Sequence, residues 1–380
     1  MLFLLDLTNQ FHGGLIMISE AKKYFTLYGN VQIVDGFERC LIVDTYREKF
    51  FLIPKSLSRF LKRHKNRLVQ DVYKMYSQIE SQIVDEYFIF LKDNDLIHFS
   101  INRDHIKNFI SMPLTFAHYG AIINSIIELN SFENFETICS FIFDLNAINC
   151  SHLQIIFQSK LTKSELDFIA NKFDNTEFRS IEIYFEYTKS NADFEWQEFF
   201  IKFKRISLII MFCSPDDKIL YFLDGHCIVN YLVQPSGKPI SCGRVSTAYF
   251  QANTSLFTES QHHNTCLNRK ISIDINGDIK NCPSMAKSYG NIRDTKLIDV
   301  VNNPEFQKVW HIKKDEIAKC RDCEFRHICT DCRAYIENPE DQYSAPLKCG
   351  YNPYTCEWEE WSTNPLKQQA IDYYGMREIV

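Results

Sequence analysis

Eight cysteines crowd into the last 115 residues of the chain, at spacings that suit metal ligation. Two pairs have the form Cys-x2-Cys, a common way to present two thiolates to one centre. Cys266 and Cys282 stand at the two ends of a stretch in which apolar and polar residues alternate toward the turn Asn276-Gly277. A β-hairpin in this stretch would bring the two cysteines together. The eight are Cys266, Cys282, Cys320, Cys323, Cys329, Cys332, Cys349 and Cys356.

These thiols could hold zinc, iron and sulfide, or one another. Paired Cys-x2-Cys knuckles are usual for tetrahedral zinc. A [4Fe-4S] cluster takes four thiolates, so eight cysteines match two such clusters. Disulfides are disfavoured in a reducing compartment, and charged neighbours such as Arg321 and Asp322 do not fit an apolar core stripe. The number and spacing of the cysteines therefore leave two [4Fe-4S] clusters and zinc as open alternatives.

Composition and charge limit the class of protein. The beginning MLFLLDLTNQ is interrupted by Asp6 and lacks the basic and small-residue parts of an export signal. No run approaches the length of a membrane span. The formal net charge is -6, and scattered lysines and arginines form no basic face, which does not favour nucleic acid as a partner. We expect a cytoplasmic globular protein with no membrane partner.

The amino-terminal part has the pattern of a small sheet followed by helices. Over residues 24–53, short apolar runs are broken by turn residues at hairpin spacing. After Pro54 the apolar spacing becomes helical, in three segments, until a last short strand near Leu96 and Ile97. We predict a winged-helix domain over residues 23–105, preceded by an extension over 1–22.

The middle of the chain alternates between strand-length apolar runs and helical stretches. Four runs begin at intervals of 27 to 31 residues. Strands that are apolar on both faces and linked by helices are typical of a parallel α/β sheet or an incomplete barrel, predicted over 115–235. A loop-rich, cysteine-rich domain follows over 240–362, and a tail over 363–380. The predicted fold class is α/β.

The cysteine-rich end resembles the SPASM domain, which holds two auxiliary [4Fe-4S] clusters in radical-SAM peptide maturases. The sequence departs from the family at one place: two residues separate Cys329 from Cys332, where the family usually has three. The resemblance is carried, over about 90 residues, by Cys266, Gly277, Cys282, Gly290-Asn291-Ile292, the four cysteines from 320 to 332, and CGYNP at 349–353.

The resemblance implies how the cysteines divide between two clusters. One cluster would be held by Cys320, Cys323, Cys329 and Cys349. The other would be held in part by Cys266, Cys282 and Cys332. Its fourth ligand is left open between Cys356, the first candidate, and Cys242, with His262 or His263 behind them and an open iron site as a further alternative.

A longer resemblance, to the SPASM-domain peptide maturase of grasp-with-spasm systems, covers most of the chain. It is carried by YFTLYGNVQIVDGFERCLIVD at 24–44, CGRV at 242–245 and the segment 264–292. It implies a ribosomal-peptide pathway with two partners, a precursor peptide and an ATP-grasp ligase. The first domain then resembles a RiPP recognition element, in which an extended leader adds to a strand edge. The residues expected to contact the leader, each with core packing as the alternative, are Phe50, Phe51, Leu52, Ile53, Val84, Tyr87 and Phe88.

One motif of the radical-SAM enzymes is missing from the sequence. The loop after the first barrel-like strand has no C-x3-C-x2-C, and Cys139 and Cys150 are eleven apart. We therefore interpret 115–235 as a degenerate radical-SAM-like barrel and do not expect SAM as a cofactor. The favoured function is an iron-sulfur protein that binds the leader and assists the ligase. The alternatives are a peptide-modifying enzyme that uses a cluster in redox or Lewis-acid chemistry, and a zinc-binding interaction module.

Overall fold

The structure is a computed structural model that describes residues 19–191, 194–235 and 242–377. Most of the predicted extension over 1–22 lies outside the described residues. The strands are β1 Tyr24–Leu27, β2 Val31–Asp35, β3 Arg39–Asp44, β4 Lys49–Pro54, β5 Ile97–Ser100, β6 Asn124–Leu129, β7 His152–Lys160, β8 Ser180–Glu186, β9 Ile206–Phe212, β10 Lys218–Phe222, β11 Cys227–Tyr231, β12 Lys270–Ile273, β13 Ile279–Lys280, β14 Tyr351–Asn352 and β15 Glu357–Trp358.

The α-helices are short, apart from one of 16 residues in the amino-terminal part. They are α1 Lys55–His64, α2 Val69–Tyr73, α3 Gln78–Asp93, α4 Arg103–Lys107, α5 Cys139–Ala147, α6 Lys163–Asn171, α7 Trp196–Lys202, α8 Thr254–Glu259, α9 Leu297–Val301, α10 Pro304–Gln307 and α11 Gln368–Tyr373.

The amino-terminal unit places a three-stranded sheet beside three helices. Strands β2, β3 and β4 pair antiparallel in that order, while β1 pairs with β5 after the helices. Phe25, Phe60 and Phe88 meet in the core, with ring centroids 4.9 to 6.3 Å apart. Helix α3 begins with a capping box in which Ser77 and Glu80 satisfy each other's backbone N–H groups. Three helices and a closing strand were predicted; the winged-helix assignment stays a prediction.

The middle of the chain forms a mixed α/β unit around an eight-stranded sheet, in the order β10-β11-β9-β8-β7-β6-β12-β13. The pairs from β11 through β12 are parallel, as the spacing of the apolar runs predicted. Along β6, β7 and β8 every second side chain is buried in the main core. The alternate positions are mostly half-buried and include Gln154, Glu182 and Tyr184. One face of the sheet thus carries the core and the other carries polar groups.

Two features of this sheet are not evident from the sequence pattern. Strand β10 is an antiparallel edge strand, and its residues are half-buried or exposed. The hairpin β12-β13 of the cysteine-rich region joins the sheet, because β12 pairs parallel with β6. The hairpin turn has Gly277 at φ +84, a left-handed conformation that glycine adopts without strain. The sheet therefore carries Cys266 and Cys282 on its own extension.

The cysteine-rich region is built mostly from turns held by side-chain hydrogen bonds. Its tail packs back on it through α11, where Ala370 and Ile371 are buried against Leu347. The buried Lys367 donates to the carbonyl oxygens of Leu347 at 2.8 Å and Cys349 at 2.6 Å. In the described part of the chain, no helix has both the length and the apolar character needed to cross a membrane.

Candidate metal centres

The structure brings the predicted cysteines into two groups. The first of these to be described, called the carboxyl-side group, consists of Cys320, Cys323, Cys329 and Cys349, which line one cavity. Phe250, Phe325 and Tyr351 line the same cavity, so its walls between the sulfurs are apolar. This is the set that the resemblance implied for one cluster; its ligation of a cluster stays a prediction.

A buried lysine contacts the carboxyl-side group. Lys314, only 6% exposed, donates from Nζ to Cys329 Sγ at 2.9 Å. Burial lowers the pKa of this lysine, but the nearby sulfurs of Cys329 and Cys320 outweigh burial and raise it overall. The ammonium therefore stays protonated and brings one positive charge to a group of thiolates.

The second set, called the hairpin group, consists of Cys242, Cys266, Cys282 and Cys332. Cys282 and Cys332 are buried in one small cluster, with Cys266 packed against it. Cys242 and Cys282 share a hydrogen bond, and Cys332 and Cys266 lie close enough to influence the pKa of Cys242. The four residues come from four separate segments, so only the tertiary fold assembles this group.

Gly243 permits the close approach within the hairpin group. It has φ +74, and a Cβ atom built on it would lie 2.9 Å from Cys332 Sγ. A larger residue here would meet the sulfur and would also be strained in the left-handed conformation. The glycine of the CGRV segment at 242–245 is therefore required for steric reasons.

The hairpin group has a lysine of its own. Lys270, the first residue of β12, directs Nζ toward Cys266 Sγ at 3.8 Å. Burial lowers the pKa of Lys270, but the sulfurs of Cys266 and Cys282 outweigh burial and raise it overall. Each cysteine group thus has an ammonium beside a sulfur, an arrangement suited to a centre that carries excess negative charge.

The pKa values of the thiols test whether these groups fit a metal centre. Burial raises the pKa of Cys320 and of Cys332 to about 12. In the hairpin group, the hydrogen bond with Cys242 lowers the pKa of Cys282, so the pair holds a proton unequally. Buried cysteines this close cannot all ionise unless a cation compensates them, and metal ligation requires thiolates. The donor sets fit an iron-sulfur cluster, which would supply that positive charge.

Zinc, the alternative metal, would need sulfurs that converge on one ion. Within the ranges that the structure describes, no three or more His, Cys, Asp or Glu side chains are arranged around one metal-ion position. The sulfurs of a zinc site converge at about 2.3 Å from one ion. The ligands of a cubane cluster bind four different iron atoms and stand farther apart.

A buried polar network links the two groups. Asn264 Nδ2 donates to Asp331 Oδ2 at 2.7 Å, while Asn264 Oδ1 accepts from the backbone N–H of Cys266 at 3.0 Å. Arg333 donates to Asp331 Oδ1 at 2.6 Å, and Asp331 lies between Cys329 and Cys332 in sequence. The spacing of the cysteines gives no sign of this network, nor of the positions of Lys270 and Lys314.

Cys356 lies outside the hairpin group, although it was expected to be the fourth member of that group. Its backbone N–H donates to Asn352 O at 2.9 Å, and its side chain contacts the hydroxyl of Tyr351. Cys242, the alternative in the sequence analysis, occupies the fourth position instead. His263 packs its ring against His311 at 5.3 Å and away from that position. The segment that begins at Cys242 returns to the hairpin, which the spacing of the cysteines did not indicate.

The strand β4, expected to meet a leader, has one open edge. It pairs with β3, and among the described residues no strand pairs with its other side. Phe50 and Leu52 pack on one face, against the core that includes Cys329 and Phe325. Phe51 and Ile53 pack on the opposite face, against the helices.

Two of the residues expected to contact a leader lie in the core instead. Val84 is 2% exposed and Phe88 is fully buried, so neither side chain reaches the surface. Tyr87 is half-buried, and its hydroxyl donates to Ser56 Oγ at 2.6 Å. These three residues lie at positions i, i+3 and i+4 of α3 and so share one side of the helix. The apolar pattern alone did not show whether this side packs in the core or lines a surface groove.

Glu128 on β6 provides a test of the electrostatics beside the hairpin group. Burial raises its pKa to about 7 from an ordinary 4.5, with further upward contributions from Cys282 and Asp274. Because the folded protein binds this proton more tightly than the unfolded chain does, the protonated carboxyl contributes to stability. The contribution is complete below pH 4.5 and is lost as the pH rises through 7.

We expect Glu128→Gln to flatten the pH dependence of stability between pH 5 and 7.5. The pKa shift sets an upper limit of roughly 3 kcal/mol for the effect. The melting temperature of the holoprotein should fall less across this range in the variant than in the parent. Glu136→Gln, at an exposed position, is the matched control. Parallel curves for parent and Glu128→Gln would contradict the assignment.

Comparison with known families gives one match, within the cysteine-rich region. Residues 265–324 match the family model of SPASM, an iron-sulfur cluster-binding domain. The matched segment holds Cys266, Cys282, Cys320 and Cys323. The match implies that this region binds an iron-sulfur cluster.

Two curated relatives share a short segment with the chain. The AdoMet-dependent heme synthase of Nitratidesulfovibrio vulgaris is 28% identical over 79 residues, which is 20% of this chain and 21% of the relative. The enzyme of the same name from Oleidesulfovibrio alaskensis is 27% identical over 79 residues, 20% of each chain. The match therefore spans about a fifth of the length of these relatives.

Among solved structures, similarity extends over more of the chain at low identity. The crystal structure of Streptococcus suis SuiB bound to S-adenosylmethionine is 12% identical, with 82% of this chain and 96% of that chain covered and a TM-score of 0.29. SuiB bound to the precursor peptide SuiA is 11% identical, with 85% and 98% covered and a TM-score of 0.30.

Proposed function

We propose that this protein is a cytoplasmic iron-sulfur protein that binds the leader of a ribosomally made precursor peptide and assists an ATP-grasp ligase. The observation that carries the iron-sulfur part is the convergence of two sets of four cysteines, each with an ammonium beside a sulfur. Each set would hold one [4Fe-4S] cluster. The clusters would organise a region built largely of turns, whose own core is small.

The open edge of β4 supports the leader-binding part of the proposal. An extended peptide can add to such an edge as a further strand through main-chain hydrogen bonds. Beside this edge, Phe51 of β4 meets Phe90 of α3 with ring centroids 5.8 Å apart. Ile83 and Tyr87 precede Phe90 at helical spacing, and Ile83 is 46% exposed. We assign to this surface, called the β4-α3 groove, the role that was expected of Val84 and Phe88.

The same sheet reaches the carboxyl-side group on its other face. Arg39 of β3 donates from Nε to Glu324 Oε1 at 2.6 Å, and Tyr351 donates to the same oxygen at 2.5 Å. Phe50 packs against Phe325 with centroids 6.3 Å apart. A peptide on β4 and a cluster held next to Phe325 would therefore share one packed layer, and any effect of one on the binding of the other would be reciprocal.

The proposal assigns no reaction to the chain itself. The residues of the barrel-like unit do not include the C-x3-C-x2-C motif, so we expect no reductive cleavage of SAM. The ligase would form the bond, and this protein would hold the precursor. The candidate precursors are the peptides encoded by short reading frames beside the gene. With these peptides as substrates, we expect ligation by the ATP-grasp enzyme to slow when this protein is omitted. A mass change in a precursor incubated with this protein alone would contradict the proposal.

We expect Ile83→Asp to weaken leader binding at least ten-fold, because it places a charge in the apolar β4-α3 groove. The measurement is fluorescence anisotropy of labelled peptides from the neighbouring reading frames, with the holoprotein. Gln82→Asp, at the exposed position just before Ile83, adds the same charge outside the groove, and this variant should bind the leader as the parent does. Equal affinities for the two variants would place the leader elsewhere.

A further inference from the structure

A cavity on the polar face of the large sheet lies beside the hairpin group. One wall comes from the amino ends of three parallel strands, with Asn124 of β6, Gln154 of β7 and Glu182 of β8. Lys270 of β12, which pairs with Asn124, extends this wall, and Thr265, Cys266 and Thr330 of the cysteine-rich region line the rest of the cavity. The cavity is thus formed where the two units meet, and neither the leader groove nor the cysteine ligation uses its strand wall.

Among the described residues, no donor bonds to two of the hydrogen-bond acceptors on the strand wall. Asn124 Oδ1 is buried and accepts no hydrogen bond within the described residues. Glu182 accepts from Tyr184 at 2.9 Å and from Gln154 at 3.3 Å, and both bonds go to Oε2. Oε1 therefore remains available on the same wall. A buried acceptor without a donor costs free energy, and a ligand that donates hydrogen bonds would remove that cost.

The charges around the cavity favour a cation near Glu182. Burial raises the pKa of the Glu182 carboxyl, which a positive charge beside it would reverse. Lys270 directs its ammonium to Cys266 Sγ, so its charge serves the cysteines. His152 at the rim shares a hydrogen bond of 2.7 Å with Ser180, and burial lowers its pKa, which keeps it neutral.

The register of the strands gives the length of the ligand. Asn124 pairs with His152, and His152 with Ser180, so Glu182 lies two strands across and two residues along from Asn124. With strands about 4.8 Å apart and about 3.3 Å per residue, the two positions are roughly 12 Å apart. A single side chain does not span this distance, whereas three to four residues of extended peptide do.

We propose that this cavity binds an extended peptide segment, with a guanidinium or ammonium side chain at Glu182 and a backbone N–H at Asn124. The proposal rests on the proposed function, since it names the part of a peptide substrate that would lie beside the hairpin group. A charge-assisted hydrogen bond to a carboxylate is stronger than a neutral one, which would make a basic residue the preferred one here.

The test uses short peptides that contain no leader. Acetyl-Arg-Gly-Gly-Gly-amide and its citrulline analogue, which has the same shape without the charge, are titrated into the holoprotein and followed by NMR. We expect the arginine peptide to bind at least ten-fold more tightly than the citrulline peptide. Glu182→Gln should remove this preference, and Asn124→Val should weaken both peptides several-fold. Glu177→Gln, at an exposed position before β8, should change neither.

Three results would overturn the proposal: no saturable binding of either peptide, equal binding of both by the parent, or an arginine preference that survives in Glu182→Gln. Because the probes lack a leader, these results are independent of the β4-α3 groove. Failure of the leader measurement with success here would overturn the leader role and keep the cavity.

Discussion

Cys242→Ser is expected to halve the iron and sulfide of the anaerobically purified protein, from about eight to about four of each per chain. The reason is that Cys242 completes the hairpin group, where it shares a hydrogen bond with Cys282 and lies near Cys266 and Cys332. Serine cannot replace a thiolate ligand at an iron atom with comparable strength. The measurement is iron and acid-labile sulfide content, together with the absorbance near 400 nm.

Cys356→Ser is the matched control for this experiment. Cys356 is also a non-buried cysteine of the carboxyl-terminal region, but it contacts Tyr351 and stands apart from both groups. The variant should keep the full iron content. Loss of half the iron in Cys356→Ser with retention in Cys242→Ser would restore the ligand expected from sequence order and refute the grouping described for the hairpin side.

Lys314→Met is expected to weaken the centre on the carboxyl side. Its ammonium is buried and contacts Cys329 Sγ at 2.9 Å, so methionine of similar length removes a positive charge with little change in volume. Deleting one partner of a buried charge pair typically costs about 3 to 5 kcal/mol. We expect at least ten-fold faster bleaching of half the clusters by a chelator.

The reduction potential gives a second readout for the same variant. Losing one nearby positive charge disfavours the more negative reduced state, by an amount on the order of 100 mV at protein dielectric constants. One of the two centres should therefore shift to a lower potential. Lys308→Met, at an exposed position outside both groups, should change neither bleaching nor potential. An unshifted potential in Lys314→Met would show that the ammonium only fills space.

Local patterns predicted the elements well where one physical cause dominates. The alternation along β6, β7 and β8 follows from burial of one sheet face, which is why apolar runs of strand length are evident in this part of the sequence. The turn at Gly277 follows from the conformational freedom of glycine. Cys-x2-Cys spacing likewise predicted that Cys320 and Cys323 would face one site, although Cys329 and Cys332 have the same spacing and lie in different groups. These features depend on neighbours a few residues apart, which the sequence displays directly.

The contacts between distant segments were decided by the tertiary structure. The sequence by itself determined that this chain is an α/β protein whose cysteine-rich end can hold metal. The fold decided that Cys242 joins Cys282, that Lys314 and Lys270 meet the sulfurs, and that Val84 and Phe88 belong to the core. The physical reason is that these choices depend on which surfaces the loops bring together, and loop closure leaves little trace in local composition.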